Sequence, residues 1–213
     1  MENNTKRRLV DEAYELMKVM HLEKMTAQAI ADRAGCTADV VFKYFPNLDQ
    51  LIRVAAIRIL DSYSQDSQEA IESASDPLDL DARLWTIFLP YTFQYLDVFE
   101  HLFWIWDRED VREAYDVYYS LYPEKRETIN EGYTDVFLGT DLRARSVEIL
   151  KRAADEGLIY PQDVQVMANL SVGLLHTMIN TYRGVYRSSA MPYAVSTEFL
   201  TALRSLHDHY RLK

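Results

Sequence analysis

From Ala29 to Phe45 the chain reads Ala-Ile-Ala-Asp-Arg-Ala-Gly-Cys-Thr-Ala-Asp-Val-Val-Phe-Lys-Tyr-Phe, two short helix-like runs with only Gly35 and Cys36 between them. Helices joined so tightly cannot lie antiparallel and must cross at a steep angle. Such a corner needs a small residue at the closest approach, and Ala31 supplies it. It also needs a turn residue that tolerates a left-handed backbone, which costs least without a Cβ; Gly35 is that residue. Ile30, Ala34 and Val41 then fill the small core beneath. The spacing predicts a helix-turn-helix unit that starts at Ala27. Two adjacent helices of an ordinary bundle are the plainer alternative.

The rest of the chain points to helices as well. Across 213 residues there are six glycines and six prolines, fewer than strand-rich folds consume. Hydrophobic residues make up 48%, enough to bury a sizeable core and too many for a disordered chain. Apolar residues recur at three- and four-residue steps. Leu9, Ala13, Leu16, Met17 and Met20 predict a first helix over about 5–21. Thr26 and Thr37 are placed to cap the second and third helices, and Asn47 or Asp49 starts a fourth that runs through Ile59 and as far as Ala70. After the polar connector 73–81, helices are expected near 79–96, 98–120, 123–137, 141–156, 161–187 and 193–210. Pro90 falls inside an apolar helical run and predicts a kink. The fold class is all-α.

The lone Cys36 cannot form an internal disulfide, the N-terminus lacks the apolar core of a signal peptide, and no run has the length of a membrane span. The expectation is a soluble cytoplasmic protein with no membrane partner. The net charge of −10 argues against nonspecific coating of nucleic acid. It is unevenly spread, however: residues 1–52 hold seven Lys/Arg and eight Asp/Glu, and Lys6, Arg7 and Arg8 cluster at the start.

The run Thr26-x₃-Ile30-Ala31-x₂-Ala34-Gly35-x-Thr37, followed by Phe42-x-Tyr44-Phe45-Pro46-Asn47 and Leu51, resembles the N-terminal domain of the TetR (tetracycline repressor) family. The likeness covers about the first 52 residues. Beyond them it extends to helix number and order and to the segment Asp155-Glu-Gly-Leu-Ile-Tyr-Pro161. The resemblance implies a helix-turn-helix DNA-binding domain over 1–52 and a larger helical ligand-binding and dimerisation domain over 53–213, about nine or ten helices in all. It implies a homodimer whose third helices enter successive major grooves of a double-stranded operator, controlled by a small-molecule effector held in the body. Carried over position by position, it puts Thr37, Ala38, Val40 and Lys43 on the surface that reads base edges. Thr26 and Tyr44 fall at its phosphate-facing positions, Gln28 and Phe42 count among its DNA-binding residues, and Lys6 and Arg7 add contacts from the N-terminal arm. Four departures bear on this. Phe42 stands where the family usually has tyrosine, Leu48 where it has lysine, Asp39 where glycine or proline is common, and His21 where a turn glycine is usual. They predict an ordinary fold with weakened operator binding.

The body is rich in aromatic residues, with 15 of the chain's 26 lying between Trp85 and Phe137. Many pack a core, but tyrosine hydroxyls that must find partners when buried suit the rim of a cavity for a planar or lipophilic ligand. The candidate ligand residues are Trp85, Phe88, Tyr91, Phe103, Trp104, Tyr118, Tyr122, Tyr133, His176 and Asn180. The helix from Val164 to Tyr186 is apolar on several faces, so it buries more than one side. Its Leu170, Leu174, Leu175 and Met178, with Phe199, Leu203 and Leu206 of the last helix, are the candidate dimer interface. No phosphate loop, nucleophile elbow or metal-ligand spacing is present, so no catalytic residue, metal or cofactor is expected. The favoured function is a ligand-responsive transcriptional regulator, a repressor released by an aromatic or lipophilic effector. The alternatives are a TetR-like dimeric ligand-binding or protein-interaction module with weakened DNA binding, and a helical enzyme whose site is assembled only by folding.

Overall fold

The computed structural model describes residues 2–182 and 191–212, and among these every regular element is helical. In chain order the α-helices are α1 (Glu2–Met17), α2 (Ala27–Ala34), α3 (Ala38–Tyr44), α4 (Leu48–Asp66), α5 (Gln68–Ser73), α6 (Pro77–Gln94), α7 (Leu96–Glu100), α8 (Arg108–Leu121), α9 (Pro123–Arg126), α10 (Thr134–Leu138), α11 (Leu142–Asp155), α12 (Val164–Tyr182) and α13 (Met191–Tyr210). Packing divides the chain into two compact units. One joins Met1–Ser62 to Asp97–Ile129; the other joins Tyr63–Leu96 to Asn130–Lys213. Among the described residues no helix is long and apolar enough to cross a membrane.

In the first unit, α1 buries Leu9, Val10, Ala13, Leu16 and Met17, the apolar stripe its sequence period predicts. Buried Ile30, Ala31, Ala34 and Val41 fill the core of the helix-turn-helix corner. The second segment of the unit ties back to α1 through polar groups. Arg7 donates from Nε to the Leu121 carbonyl, pairs with Glu124 at 3.1 Å and lies over the Tyr122 ring, its guanidinium carbon 4.8 Å from the centroid. The Tyr122 hydroxyl sits 2.9 Å from the Asp11 carboxylate and 3.1 Å from the Arg7 carbonyl oxygen. Asp11 in turn holds Arg58 of α4.

The second unit is built on α6, which packs against both α11 and α13, with α12 against α11. Asp76 starts α6 by accepting from the Leu78 and Asp79 amides, with Pro77 in the first turn where its missing N–H costs nothing. α11 begins on Asp141, which caps it in the same way, and ends at Gly157, whose φ of 74° turns the chain so that the Leu158 amide bonds the Ala153 carbonyl at 2.8 Å. Leu78, Leu150, Ala153, Ile159, Val164, Met167 and Ala168 form one buried cluster beside this turn.

Several helix expectations need correction. The single helix expected over 98–120 is broken: α7 gives way to a π-helical turn, His101–Ile105, and an extended Trp106 precedes α8. Asp107 causes the restart by capping α8 through the Glu109 amide. The helix expected over 123–137 is likewise split into α9, a 3₁₀ turn Glu131–Tyr133 and α10, because the Asn130 side chain takes the Gly132 amide and starts a new turn. α4 stops at Asp66, and Ser67 separates it from α5. Thr37 stands at the N-cap of α3, but its hydroxyl makes no capping bond. Pro90 lies within α6, which runs on to Gln94. The expected stretch of the penultimate helix through Val185 and Tyr186 lies outside the described residues.

Candidate functional site

The helix-turn-helix corner is closed by local bonds. The Thr26 hydroxyl accepts from the Ala29 amide at 3.1 Å and starts α2. Gly35 ends it at φ 64°, ψ 41°, and the Cys36 amide reaches the Ala31 carbonyl at 3.0 Å. A Cβ on Gly35 would stand 3.1 Å from Nη2 of Arg8, so the turn also receives the arm. With Val41 buried beneath it, α3 turns Thr37, Asp39, Phe42 and Lys43 outward, while Ala38, Val40 and Tyr44 are half-buried. Phe42 is 53% exposed, a large apolar side chain kept in water. Two cations approach the Tyr44 ring, Lys43 Nζ at 5.5 Å and Lys6 Nζ at 6.0 Å from its centroid. Lys6 also pairs with Glu2 at 3.4 Å.

The structure thus gathers Lys6, Lys43 and Tyr44 into one patch, with exposed Thr26 at the start of α2. It does not bring Arg7 there, because that guanidinium is taken by Leu121, Glu124 and Tyr122. Gln28 is exposed, its amide donating along α2 to Asp32. Arg8, beside the turn, is the cation whose placement sequence reasoning left undistinguished from its neighbours.

The second unit contains a small cleft, partly open to solvent, with about 30 Å³ of room for water-sized occupants. Two helices line it with the same spacing: α6 through Asp81, Leu84, Trp85 and Phe88, α11 through Leu142, Arg145, Ser146 and Ile149. Steps of three, four and seven put each set on one helix face. Tyr63 from the end of α4 and Val136 from α10 complete the wall. Tyr63 and Phe88 meet edge to face at 5.1 Å, and Trp85 and Phe88 do so at 5.7 Å. Burial raises the Tyr63 phenol well above its ordinary value, so it stays a neutral donor.

The polar members of this wall are held in place. Arg145 is 4% exposed, donating from Nε to the Gly139 carbonyl at 2.8 Å and from Nη2 to the Phe137 carbonyl at 2.7 Å. Gly139 leaves room for its stem: a Cβ there would meet Arg145 Cγ at 3.1 Å. Asp81, buried, is bonded by Nε2 of His207 on α13 at 2.9 Å. The Ser146 hydroxyl is buried without a hydrogen-bond partner, an arrangement that costs about 1–3 kcal/mol.

Of the ten expected ligand residues, Trp85 and Phe88 line this cavity. Tyr91 bonds Asp66 at 2.5 Å. Tyr133 lies under Arg152, His176 is half-buried on α12, and Asn180 is exposed there. Phe103, Trp104, Tyr118 and Tyr122 belong to the first unit. There Tyr118 and Tyr119 donate to the buried Asp61 carboxylate at 3.3 and 3.4 Å. Tyr63, Asp81, Arg145 and Ser146 were missed. The available signal was an arginine and a serine on the apolar Leu142–Ile149 face of an amphipathic helix. Of the seven expected dimer residues, Leu175, Met178, Phe199 and Leu203 are buried within the chain. Leu174 and Leu206 are half-buried, and Leu170 is 51% exposed, next to Val166 at 43% on the same face of α12. Among the described residues no group of three or more His, Cys, Asp or Glu is placed to hold a metal ion.

By sequence the chain matches no family model and no curated protein. By structure it is similar to transcriptional regulators. One is a TetR-family regulator of Mesorhizobium loti, 12% identical, with a TM-score of 0.64 over 100% of this chain and 99% of that one. FadR of Thermus thermophilus, a TetR-family repressor solved with lauroyl-CoA, is 17% identical, with a TM-score of 0.58 over 95% and 92%. RolR, solved with resorcinol, is 14% identical, with a TM-score of 0.58 over 100% and 97%. At these identities the likeness is one of fold: a helix-turn-helix head and a helical body.

Proposed function

From a chain that carries the fold of the TetR-family regulators, we propose a ligand-responsive transcriptional regulator, a repressor that binds a palindromic operator as a homodimer and is released by a small aromatic or lipophilic effector. The observation that carries this reading is the pairing of an outward-facing α3, with Lys43 and Tyr44 beside Lys6, and a half-enclosed aromatic cavity in the same chain. α3 reads base edges in the major groove; Thr26, Tyr44 and Lys6 meet phosphates. Two copies associate through the outer face of α12 with α13, and set their reading helices one DNA turn apart, roughly 34–36 Å. α4 supplies the link, since it starts just after the reading helix and carries Tyr63, a residue of the cavity wall, in its last turn. A coupling of about 1–3 kcal/mol changes operator occupancy 5- to 150-fold. The bound lauroyl-CoA and resorcinol of the similar structures support an effector that is at least partly apolar.

A second reading, a dimeric module with little DNA affinity, is favoured by two specific features. Phe42 offers no hydroxyl to a phosphate, and the Arg7 guanidinium is engaged by Leu121, Glu124 and Tyr122. Selection of genomic fragments with the purified protein decides between them. Enrichment of a palindrome, with release by an effector, is the expected result; failure to enrich any sequence favours the module. Where an operator is found, its affinity is expected to fall with salt less steeply than for six neutralised phosphates, at roughly −0.9 per phosphate in log–log slope. A slope that steep overturns the expectation of weakened backbone contact.

A further inference from the structure

One exposed side chain of the helix-turn-helix corner carries a charge that the backbone of DNA repels. Asp39 lies in the first turn of α3 and is exposed. Buried Val41 fixes which face of α3 looks inward, and the residues two before and two after it stand about 200° round the helix. Those residues are Asp39 and Lys43, the outermost pair of α3. Most acids of the first four helices are engaged. Glu2 pairs with Lys6, Asp11 with Arg58, Glu12 with Arg33 and Glu15 with Lys18, while Asp32 takes the Gln28 amide. Among the described residues nothing hydrogen-bonds or pairs with Asp39. Lys43 stands at the spacing that pairs acid and base along a helix, yet its ammonium lies over the Tyr44 ring. The carboxylate is thus left to whatever α3 meets.

We propose that Asp39 reads a cytosine of the operator half-site, its carboxylate accepting a hydrogen bond from the N4 amino group in the major groove. The inference rests on the regulator reading above and names a base that its reading helix selects. An ionised carboxylate only accepts hydrogen bonds, so it gains nothing from phosphates and is repelled by them. In the major groove the donors are N4 of cytosine and N6 of adenine. Adenine sets its N7 acceptor beside N6, so a carboxylate bonded there also faces a lone pair; the cytosine edge carries no acceptor. Guanine O6 and N7 and thymine O4 are acceptors, and they leave the carboxylate dehydrated and unpaired. Asp39 therefore lowers affinity for duplex in general and does least harm on cytosine, which is discrimination by repulsion. A first-turn acid also favours the helix dipole, an effect that is the same whatever base lies opposite.

Selection from random duplexes with the full chain tests this, followed by affinity measurements with each base pair placed at each position of the enriched half-site. In the wild type, one position per half-site is expected to favour C·G by about 5-fold or more, the low end of what one mismatched base pair costs. Asp39→Ala is expected to level that position alone and to tighten binding to unrelated duplex. Asp39→Asn is expected to move it toward A·T, because a carboxamide is bidentate on adenine N6 and N7. N4-methylcytosine at that position puts a methyl on the groove-facing side of the amine. It should weaken the wild type by a similar factor and leave Asp39→Ala unchanged. Should neither variant fold, as judged by circular dichroism, the wild type's preference and its loss on the methylated duplex carry the test. Variant affinities that change equally for all sequences overturn the proposal. So does a half-site without such a cytosine, or one whose cytosine tolerates N4 methylation. Any of these results on an enriched operator keeps the regulator reading and removes Asp39 from base recognition; enrichment of no sequence removes both.

Discussion

Gly35 shows how much one backbone angle decides. At φ 64° it sits where an L-residue pays roughly 1–2 kcal/mol, whereas a methyl there would approach only the far end of the Arg8 side chain, which can swing aside. The cost of Gly35→Ala is therefore a backbone cost. We expect it to lower stability by about 1–2 kcal/mol in a urea unfolding curve, with no change in slope. Asp61 presents the opposite case, a charge where the fold prefers none. Burial raises its carboxyl above the ordinary value, against the lowering pull of Lys125, Tyr118, Tyr119 and Arg58. With the folded value raised, the folded chain holds a proton that the unfolded chain has released. Stability is thus full below the ordinary carboxylate value near 3.8 and falls as pH rises through the raised one. Asp61→Asn is expected to flatten that dependence. Urea midpoints of the two proteins should converge in acid and separate, in the variant's favour, toward neutral pH; a gap independent of pH refutes the assignment. Gly35 was legible from sequence because a glycine between two helical runs has few other uses. Asp61 was not, because nothing in the local pattern says that Tyr118 and Tyr119, more than fifty residues later, will surround it.

At the scale of elements, legibility followed periodicity and failed at competing caps. α1, α2, α11 and α13 were readable because their apolar steps are regular. The stretches 98–120 and 123–137 have apolar residues in plenty, yet Asp107 and Asn130 each take a nearby backbone amide and start a new turn. Such side chains offer the backbone an alternative to the helix ladder. The cavity was half legible: Trp85 and Phe88 announced themselves by size, while Arg145 and Ser146 were hidden because a charge in an amphipathic helix is ordinarily assigned to water. α6, which supplies four wall residues, depends on its start. Asp76 accepts from two amides of its first turn and also holds Arg211 at 2.8 Å. Asp76→Ala is expected to cost about 1–2 kcal/mol of unfolding free energy, since both the cap and the tie to the chain's end are lost. Asp76→Asn, which keeps the cap, should cost less. Equal losses in the two variants would locate the effect elsewhere.

At the scale of the whole molecule, the question is what a single copy leaves uncovered. Val166 and Leu170 stand exposed one helical turn apart on α12, the helix through which the reading proposed above has two copies associate. Four of the other expected interface residues are spent inside the chain, so the outer face rests on fewer apolar groups than the sequence suggested. Leu170→Glu is expected to shift sedimentation toward a monomer at micromolar protein while leaving the helical circular dichroism unchanged. A species of the same mass in wild type and variant would place association on another surface. The acidic total of −10 belongs to this scale as well. Under the regulator reading proposed above, it would make an encounter with DNA depend on the small basic patch at Lys6 and Lys43 rather than on the field of the whole protein.

Asp81 is shared property. It lines the cleft between α6 and α11, and its Oδ2 meets His207 in the closing turns of α13, which Arg211 and Leu212 fasten again at Asp76 and Leu158. Under the effector-responsive reading proposed above, a guest that displaced Asp81 would pull on the chain's final helix. By reciprocity, a neighbour seated on that helix must alter the guest's residence by the same factor that the guest alters the neighbour's.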